Sequence, residues 1–465
     1  MRMTSLAGLC LAMLCTGAAT AAPASRFAVD AFPSTYRAIP SAPVLIRNAT
    51  VLTGTGERLD NADVLLQDGK VAAVGRGLAA PDGGSVVDGQ GKWVTPGLID
   101  VHSHLGVYPS PGVQAHSDGN EMTSPVTAHV WAEHSVWTQD PGFHAALAGG
   151  ITSLQILPGS ANLVGGRGVT LKNLSANSYQ AMKFPGAPWG LKMACGENPK
   201  RVYGQRGGPA TRMGNVAGYR AAFIDAAEYL NKNQPKPAET KRRGRSSGNA
   251  AQDNGSKRDL KLDTLAGAIN GDILVHIHCY RADEMTTMID LAKEFGFKVA
   301  AFHHGVEAYK LADKLAEEGI CGALWADWWG FKMEAFDGIQ ENIALVDRPA
   351  NSCAIVHSDS DEGIQRLNQE AAKVIANAKR VGIDIPPERA IRWLTGNAAK
   401  SLGIADMTGS LEAGKMGDVV VWNRNPFSVY AQAEQVYIDG ARVYDRANPA
   451  LQPTSDFMLG QGVSP

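Results

Sequence analysis

The stretch Val94-Thr95-Pro96-Gly97-Leu98-Ile99-Asp100-Val101-His102-Ser103-His104 decides the fold. An apolar run of strand length ends in two histidines one residue apart, and side chains at i and i+2 of a strand share a face. Both imidazoles can therefore grip one ion. Alone the pair is weak, because 11 histidines in 465 residues give such a spacing by chance. Three further runs change its weight: Val275-His276-Ile277-His278, Phe302-His303-His304-Gly305 and Ala354-Ile355-Val356-His357-Ser358-Asp359. Apolar strands that each end on His or Asp, with helical stretches between some of them, predict a parallel α/β barrel with a metal at the C-terminal ends of its strands.

With these motifs in this order the chain resembles the amidohydrolase superfamily, specifically its imidazolonepropionase-like and prolidase-like members, over roughly residues 43–445. The resemblance implies a (β/α)8 TIM barrel with a small composite β-sandwich. It also implies metal ligands at His102 and His104 on the first strand, His278 on the fifth, His304 on the sixth and Asp359 on the eighth. His278 is preferred to His276 because the family's strand-five ligand precedes a short loop and a helix start. His304 is preferred to His303 because Gly305 follows it.

The remaining station is a carboxylated lysine or a glutamate. In Gly190-Leu191-Lys192-Met193-Ala194-Cys195-Gly196-Glu197, Lys192 and Glu197 compete for it. An ammonium inside an apolar strand is costly to bury, whereas Glu197 lies near the strand's C-terminal end, so both stay open. Arg201 and Tyr203 just beyond, and Arg167 in Gly165-Gly166-Arg167-Gly168, are candidates for holding a substrate carboxylate. That glycine-rich segment reads equally as an anion cradle or a tight structural turn. It has neither a P-loop ending nor a Rossmann spacing, which argues against nucleotide binding.

The function implied is a metal-dependent hydrolase acting on a C–N (amide) bond of a small molecule. Zn²⁺ is the expected metal, one or two per chain, with other divalent ions open. Asp359 is the expected catalytic proton shuttle. The alternatives are an Xaa-Pro-type dipeptidase and a cyclic amide or lactone hydrolase. A non-catalytic binding protein on a degenerate barrel would require a missing ligand, and every station has a candidate.

A formal net charge of −2 gives no broad attraction to nucleic acid or an anionic membrane. The expected partner is a small amide or dipeptide, and homo-oligomerisation stays open. Met1-Arg2, an apolar run through Leu14 and Ala19-Thr20-Ala21 read as a signal peptide over 1–21, hence a periplasmic or secreted product. Cys195, Cys279, Cys321 and Cys353 lie beyond it, spread along the chain, and are expected as buried free thiols.

Short β-rich runs separated by turns occupy 43–95 and recur over 408–450, which predicts that the two ends share the composite sandwich. Asp68-Gly69 marks a hairpin there. The barrel is expected over 96–407. The irregular stretch from Tyr108 to Ser135 is expected to cover the pocket in part. A polar, basic segment over 231–261, too poor in apolar side chains to repay its ordering, reads as a mobile insertion.

Overall fold

The computed structural model describes residues 25, 27, 29–233, 257–453 and 455–461; the expected leader over 1–21 and residues 234–256 of the insertion expected over 231–261 lie outside them, while that segment's ends belong to the helices Arg212–Asn233 and Leu260–Ile269. Eight strands form the barrel sheet: β1 Leu98–Ser103, β2 Ile151–Ile156, β3 Val164–Lys172, β4 Gly190–Ala194, β5 Leu274–Cys279, β6 Val299–His304, β7 Cys321–Leu324 and β8 Ala354–Val356. Most are buried along their whole length, as strands covered on both faces must be, and this is why they read as apolar runs rather than alternating ones.

The sheet departs from a strict (β/α)8 alternation at one place. β3 runs antiparallel to both β2 and β4, while the other ladders are parallel. Antiparallel neighbours need no crossover helix, so the short loop 157–163 suffices to join β2 to β3. The segment Gly165-Gly166-Arg167-Gly168, expected as a turn or anion-binding loop, is instead part of β3. Gly166 has φ +118, and a Cβ there would come within 2.4 Å of the Val130 carbonyl oxygen, so a close backbone approach explains the glycine.

The first and last strands are not joined by a ladder, and the barrel is nearly closed. Buried Asp100 holds that seam. It accepts hydrogen bonds from Ser358 N (3.2 Å), the Ser358 hydroxyl and His102 N (3.2 Å), and Asp359 N donates to His102 O at 3.0 Å. Outside the barrel, helices such as Ala282–Phe295 and Leu367–Arg380 bury one face each. The short helix Gly396–Ser401 braces β8 through Asn397, whose Nδ2 donates to Ala354 O at 2.8 Å.

The two ends of the chain meet as their matching texture predicts. Trp93–Pro96 pairs antiparallel with Val419–Trp422, joining the N-terminal and C-terminal strands in one eight-stranded mixed sheet. What the ladders define is this continuous composite sheet; they do not by themselves make it a two-layer sandwich. Its own core includes Ile46, Val51, Val64, Val94, Val421 and Tyr437. Asp68 and Gly69 both have positive φ in the hairpin between Arg58–Gln67 and Lys70–Gly75. Fully buried Lys172, at the end of β3, ties the sheet to the barrel through Asp418 (3.0 Å) and Asp439 (3.1 Å).

The expectation of free thiols is overturned. Cys195 pairs with Cys279 and Cys321 with Cys353, with Cα–Cα distances of 5.2 and 4.5 Å. Each pair joins neighbouring barrel strands, β4 to β5 and β7 to β8. The wide sequence separations hid this, because proximity here comes from strand order around the barrel.

Non-reducing peptide mapping should recover these two linked pairs. Replacing both Cys321 and Cys353 by Ala should lower unfolding stability by about 2–4 kcal/mol, as loss of a loop-closing cross-link does. Recovery of alkylated Cys321 or Cys353 from unreduced protein would contradict the pairing.

Candidate metal centre

The barrel brings the histidines from β1, β5, β6 and the end of β8 to one end. His102 is the penultimate residue of β1, and His104 follows the strand. Their Nε2 atoms lie 3.4 and 3.2 Å from Asp359 Oδ1, and His304 Nδ1 lies 3.8 Å from Asp359 Oδ2. His304 and Asp359 both have positive φ, 72° and 51°. Neighbouring strand residues normally face opposite sides, so the turn of the backbone at His304 is what allows it to join the same cluster as His303. Such strained non-glycine positions concentrate at functional sites.

Two groups of side chains could hold a cation: His102, His104 and Asp359, and His102, His304 and His357, the potential ligand atoms in each lying within 4.8 Å of one another. His278 sits beside them, its ring 4.7 Å from that of His304. Burial is the main cause that pushes His102, His278, His303 and His304 well below the usual imidazole range, and His276 and His357 down to about 3. These rings are therefore neutral at pH 7, the form that offers a lone pair. His304 Nδ1 and both nitrogens of His357 are buried without a hydrogen-bond partner. Unsatisfied buried polar atoms cost about 1–3 kcal/mol each, and a bound cation would satisfy one nitrogen of each ring, so the donor set fits a metal.

Lys192 and Glu197 are no longer equivalent. Lys192 is fully buried in β4, with Nζ 3.3 Å from His102 Nε2 and 3.1 Å from Pro158 O, and burial lowers its pKa to about 7. Glu197 opens the following helix and faces Lys332 at 3.5 Å, outside both candidate groups. Register explains the difference. Lys192 is the cross-strand partner of His276 and so shares its face.

The candidate substrate residues are not gathered here. Arg167 pairs in register with Leu191, on the face opposite Lys192. It is 2 % exposed, its guanidinium packed over Trp131 (4.4 Å) and Trp189 (4.8 Å) with Nε donating to Thr264 Oγ1. An arginine in that position is a core side chain, not a carboxylate clamp. Tyr203 is buried, and Arg201 is exposed on the same helix. The loop after β1 does reach the site, since Tyr108, Ser110 and His116 line a cavity of about 460 Å³ with His104 and Asp359.

Sequence reasoning missed His303 and His357. His303 Nδ1 lies 2.8 Å from His102 Nδ1, and His303 Nε2 lies 2.9 Å from His276 Nδ1. For His102 to present Nε2 to a metal, its proton must sit on Nδ1 and be donated to His303. His303 then carries its own proton on Nε2 and donates it to His276. The three buried rings thus form a directed chain that fixes the tautomer of His102. The doubled histidines at 303–304 carried the signal, each facing a different partner.

The chain belongs to the amidohydrolase family. The amidohydrolase family model matches residues 365–444. A crystal structure of an amidohydrolase from Thermotoga maritima MSB8 is 37% identical, covers 87% of this chain and 100% of its own, and superposes with a TM-score of 0.76. Amidohydrolase tasK of Hapsidospora irregularis is 32% identical over 438 residues, covering 87% of this chain, which spans 43% of that protein's length. An imidazolonepropionase from Chromobacterium violaceum is 24% identical over 393 residues, covering 78% of this chain and 86% of its own. The family is metal-dependent, and the His and Asp group described above is one that could hold the metal.

His303→Ala should weaken metal binding about 10–100-fold, the usual loss when a partner orienting a ligand histidine is removed, with little change in circular dichroism. Unchanged affinity in a metal titration would show that the imidazole chain does not orient His102.

Proposed function

We propose that this chain hydrolyses a C–N (amide) bond of a small molecule at a divalent-metal site, zinc being the expected ion. His102, His104, His278, His304 and Asp359 would hold the metal, with Lys192 as the bridging ligand in carboxylated form. The observation that carries the reading is Asp359, whose carboxylate lies within 3.8 Å of His102, His104 and His304. When bound, the metal would polarise the substrate carbonyl and bring the pKa of water towards about 7.

The chain's own groups do the rest. Buried neutral imidazoles keep their lone pairs for binding rather than for protons. Asp359 is placed to accept a proton from the attacking water at Oδ1 and return it to the leaving nitrogen. With a pKa of about 7, Lys192 is substantially a free amine at neutral pH. That form adds carbon dioxide, forming an N–C bond and releasing one proton, and so would exchange an unfavourable buried ammonium for an anionic ligand.

Opening of a cyclic amide is the second reading, favoured by the imidazolonepropionase relative. A prolidase structure with a TM-score of 0.51 shares the fold at 16% identity, which supports the barrel rather than a dipeptidase activity. Two disulfides suit an oxidising compartment and so favour the exported location read from the leader.

Chelation should abolish turnover and added Zn²⁺ should restore it. His102→Ala or His104→Ala should remove metal-dependent hydrolysis while the protein stays folded. Lys192→Ala should lose one of two metals, with partial rescue by short-chain carboxylates, whereas Glu197→Gln should keep the wild-type metal content. Full activity in a folded His102→Ala protein would sink the assignment.

A further inference from the structure

Resting on that hydrolase reading, we infer that the loop following β7 is an acyl-group subsite selecting amides with an aromatic or bulky apolar acyl half, and that the amine half occupies a cavity unsuited to a free carboxylate. The loop carries an unusual run of large apolar side chains: Trp325, Trp328, Trp329, Phe331, Met333 and Phe336. Trp325 stacks on the ring of His304 at 4.2 Å and 25°, and Trp328 stacks on Trp325 at 4.7 Å and 18°. A ladder of three rings therefore leads from a candidate metal ligand to the surface. Phe331 meets Trp325 edge-on at 5.7 Å.

A cavity of about 350 Å³ opens along this ladder, lined by His304, Trp325, Trp328 and Ile339 among others. Trp328 and Phe331 remain 41% and 55% exposed beside it. Exposed rings gathered at a concave site mark a place where something apolar binds. The platform is also preorganised. Trp329 Nε1 donates to Phe336 O at 2.6 Å, Gly330 N donates to Ala335 O at 3.1 Å, and Asn342 Nδ2 donates to Gly305 O at 2.9 Å.

The second cavity differs in chemistry. It reaches His104 and Asp359, contains Ser110, His116 and Asp361, and has no lysine or arginine in its lining. Because Asp359 is the group proposed to protonate the leaving nitrogen, the amine half belongs on this side. With Asp359 assigned to the metal, Asp361 is the acidic group left in this lining, and with no cation in the lining to pair a free carboxylate it favours a neutral or cationic amine half. Lys332, on the aromatic loop, is already committed: Nζ lies 3.0 Å from Asn198 Oδ1, 3.5 Å from Glu197 and 4.2 Å from the Tyr280 ring centroid.

The test is a matrix of amides on the zinc-reconstituted full chain. Acetyl, hexanoyl and phenylacetyl groups are each joined to glycine and to glycinamide. The inference expects kcat/KM to rise about 10–100-fold from acetyl to phenylacetyl, and each glycinamide to exceed its glycine counterpart. Trp328→Ala should reduce the phenylacetyl-to-acetyl ratio at least about tenfold through KM, and Trp328→Phe should retain most of it. Turnover that is flat across acyl groups, or a ratio untouched by Trp328→Ala, overturns the subsite. If no amide is turned over, calorimetric titration with phenylacetamide separates the two ideas. Saturable binding lost in Trp328→Ala keeps the subsite while the hydrolase reading falls, and no binding overturns the subsite as well.

Discussion

Between the first and last barrel strands the backbone ladders stop, and the seam is closed by a buried carboxylate. Asp100 takes the Ser358 N–H and hydroxyl and the His102 N–H, while Asp359 N reaches across to His102 O. Burial raises the Asp100 pKa to about 7 even though these hydrogen bonds favour its charged form. The cost is tolerated because the same contacts place Asp359 beside His102 and His104. A few hydrogen bonds at the seam therefore set the distances on which the proposed chemistry depends.

Around that seam, rigidity is distributed unevenly. One disulfide ties β4 to β5 at their C-terminal ends, next to His278, and the other ties the first residue of β7 to the residue preceding β8, at the opposite end of the barrel. On the far side, Lys172 with Asp418 and Asp439 fixes the composite sheet against β3. Of the two cross-links, Cys195–Cys279 sits at the metal end of the strands and Cys321–Cys353 at the opposite end, while the buried ion-pair network joins the two sheets. Removing one partner from such a network would leave an uncompensated buried charge, which is strongly destabilising. The aromatic loop after β7 is fastened by its own backbone and indole hydrogen bonds and by ion pairs to its surroundings, Lys332 to Glu197 and Arg212 to Glu334 among them.

Much of this was legible in the sequence because both signals are local. Apolar runs ending in His or Asp mark buried strands with polar C-terminal ends, which singles out His102 and His104, while the choice of His304 over His303 and of Asp359 comes from the family resemblance. Similar β-rich texture at the two ends foretold their meeting in one sheet. What stayed hidden depends on which strand lies beside which. The partnering of Cys195 with Cys279 needs β4 next to β5, and the role of His303 needs β1, β5 and β6 to enclose one space. Lys192 could not be separated from Glu197 until register against His276 fixed its face. The antiparallel course of β3 was masked by glycines that resemble a loop, and with it the burial of Arg167 between two tryptophans.

The most direct test of the account is anomalous diffraction at the zinc edge from crystals of the zinc-reconstituted protein. The account predicts a peak about 2.0–2.2 Å from nitrogens of His102 and His104 and an oxygen of Asp359, with a second peak bridged by modified Lys192. A peak only elsewhere on the chain, or none at full zinc loading, would contradict it.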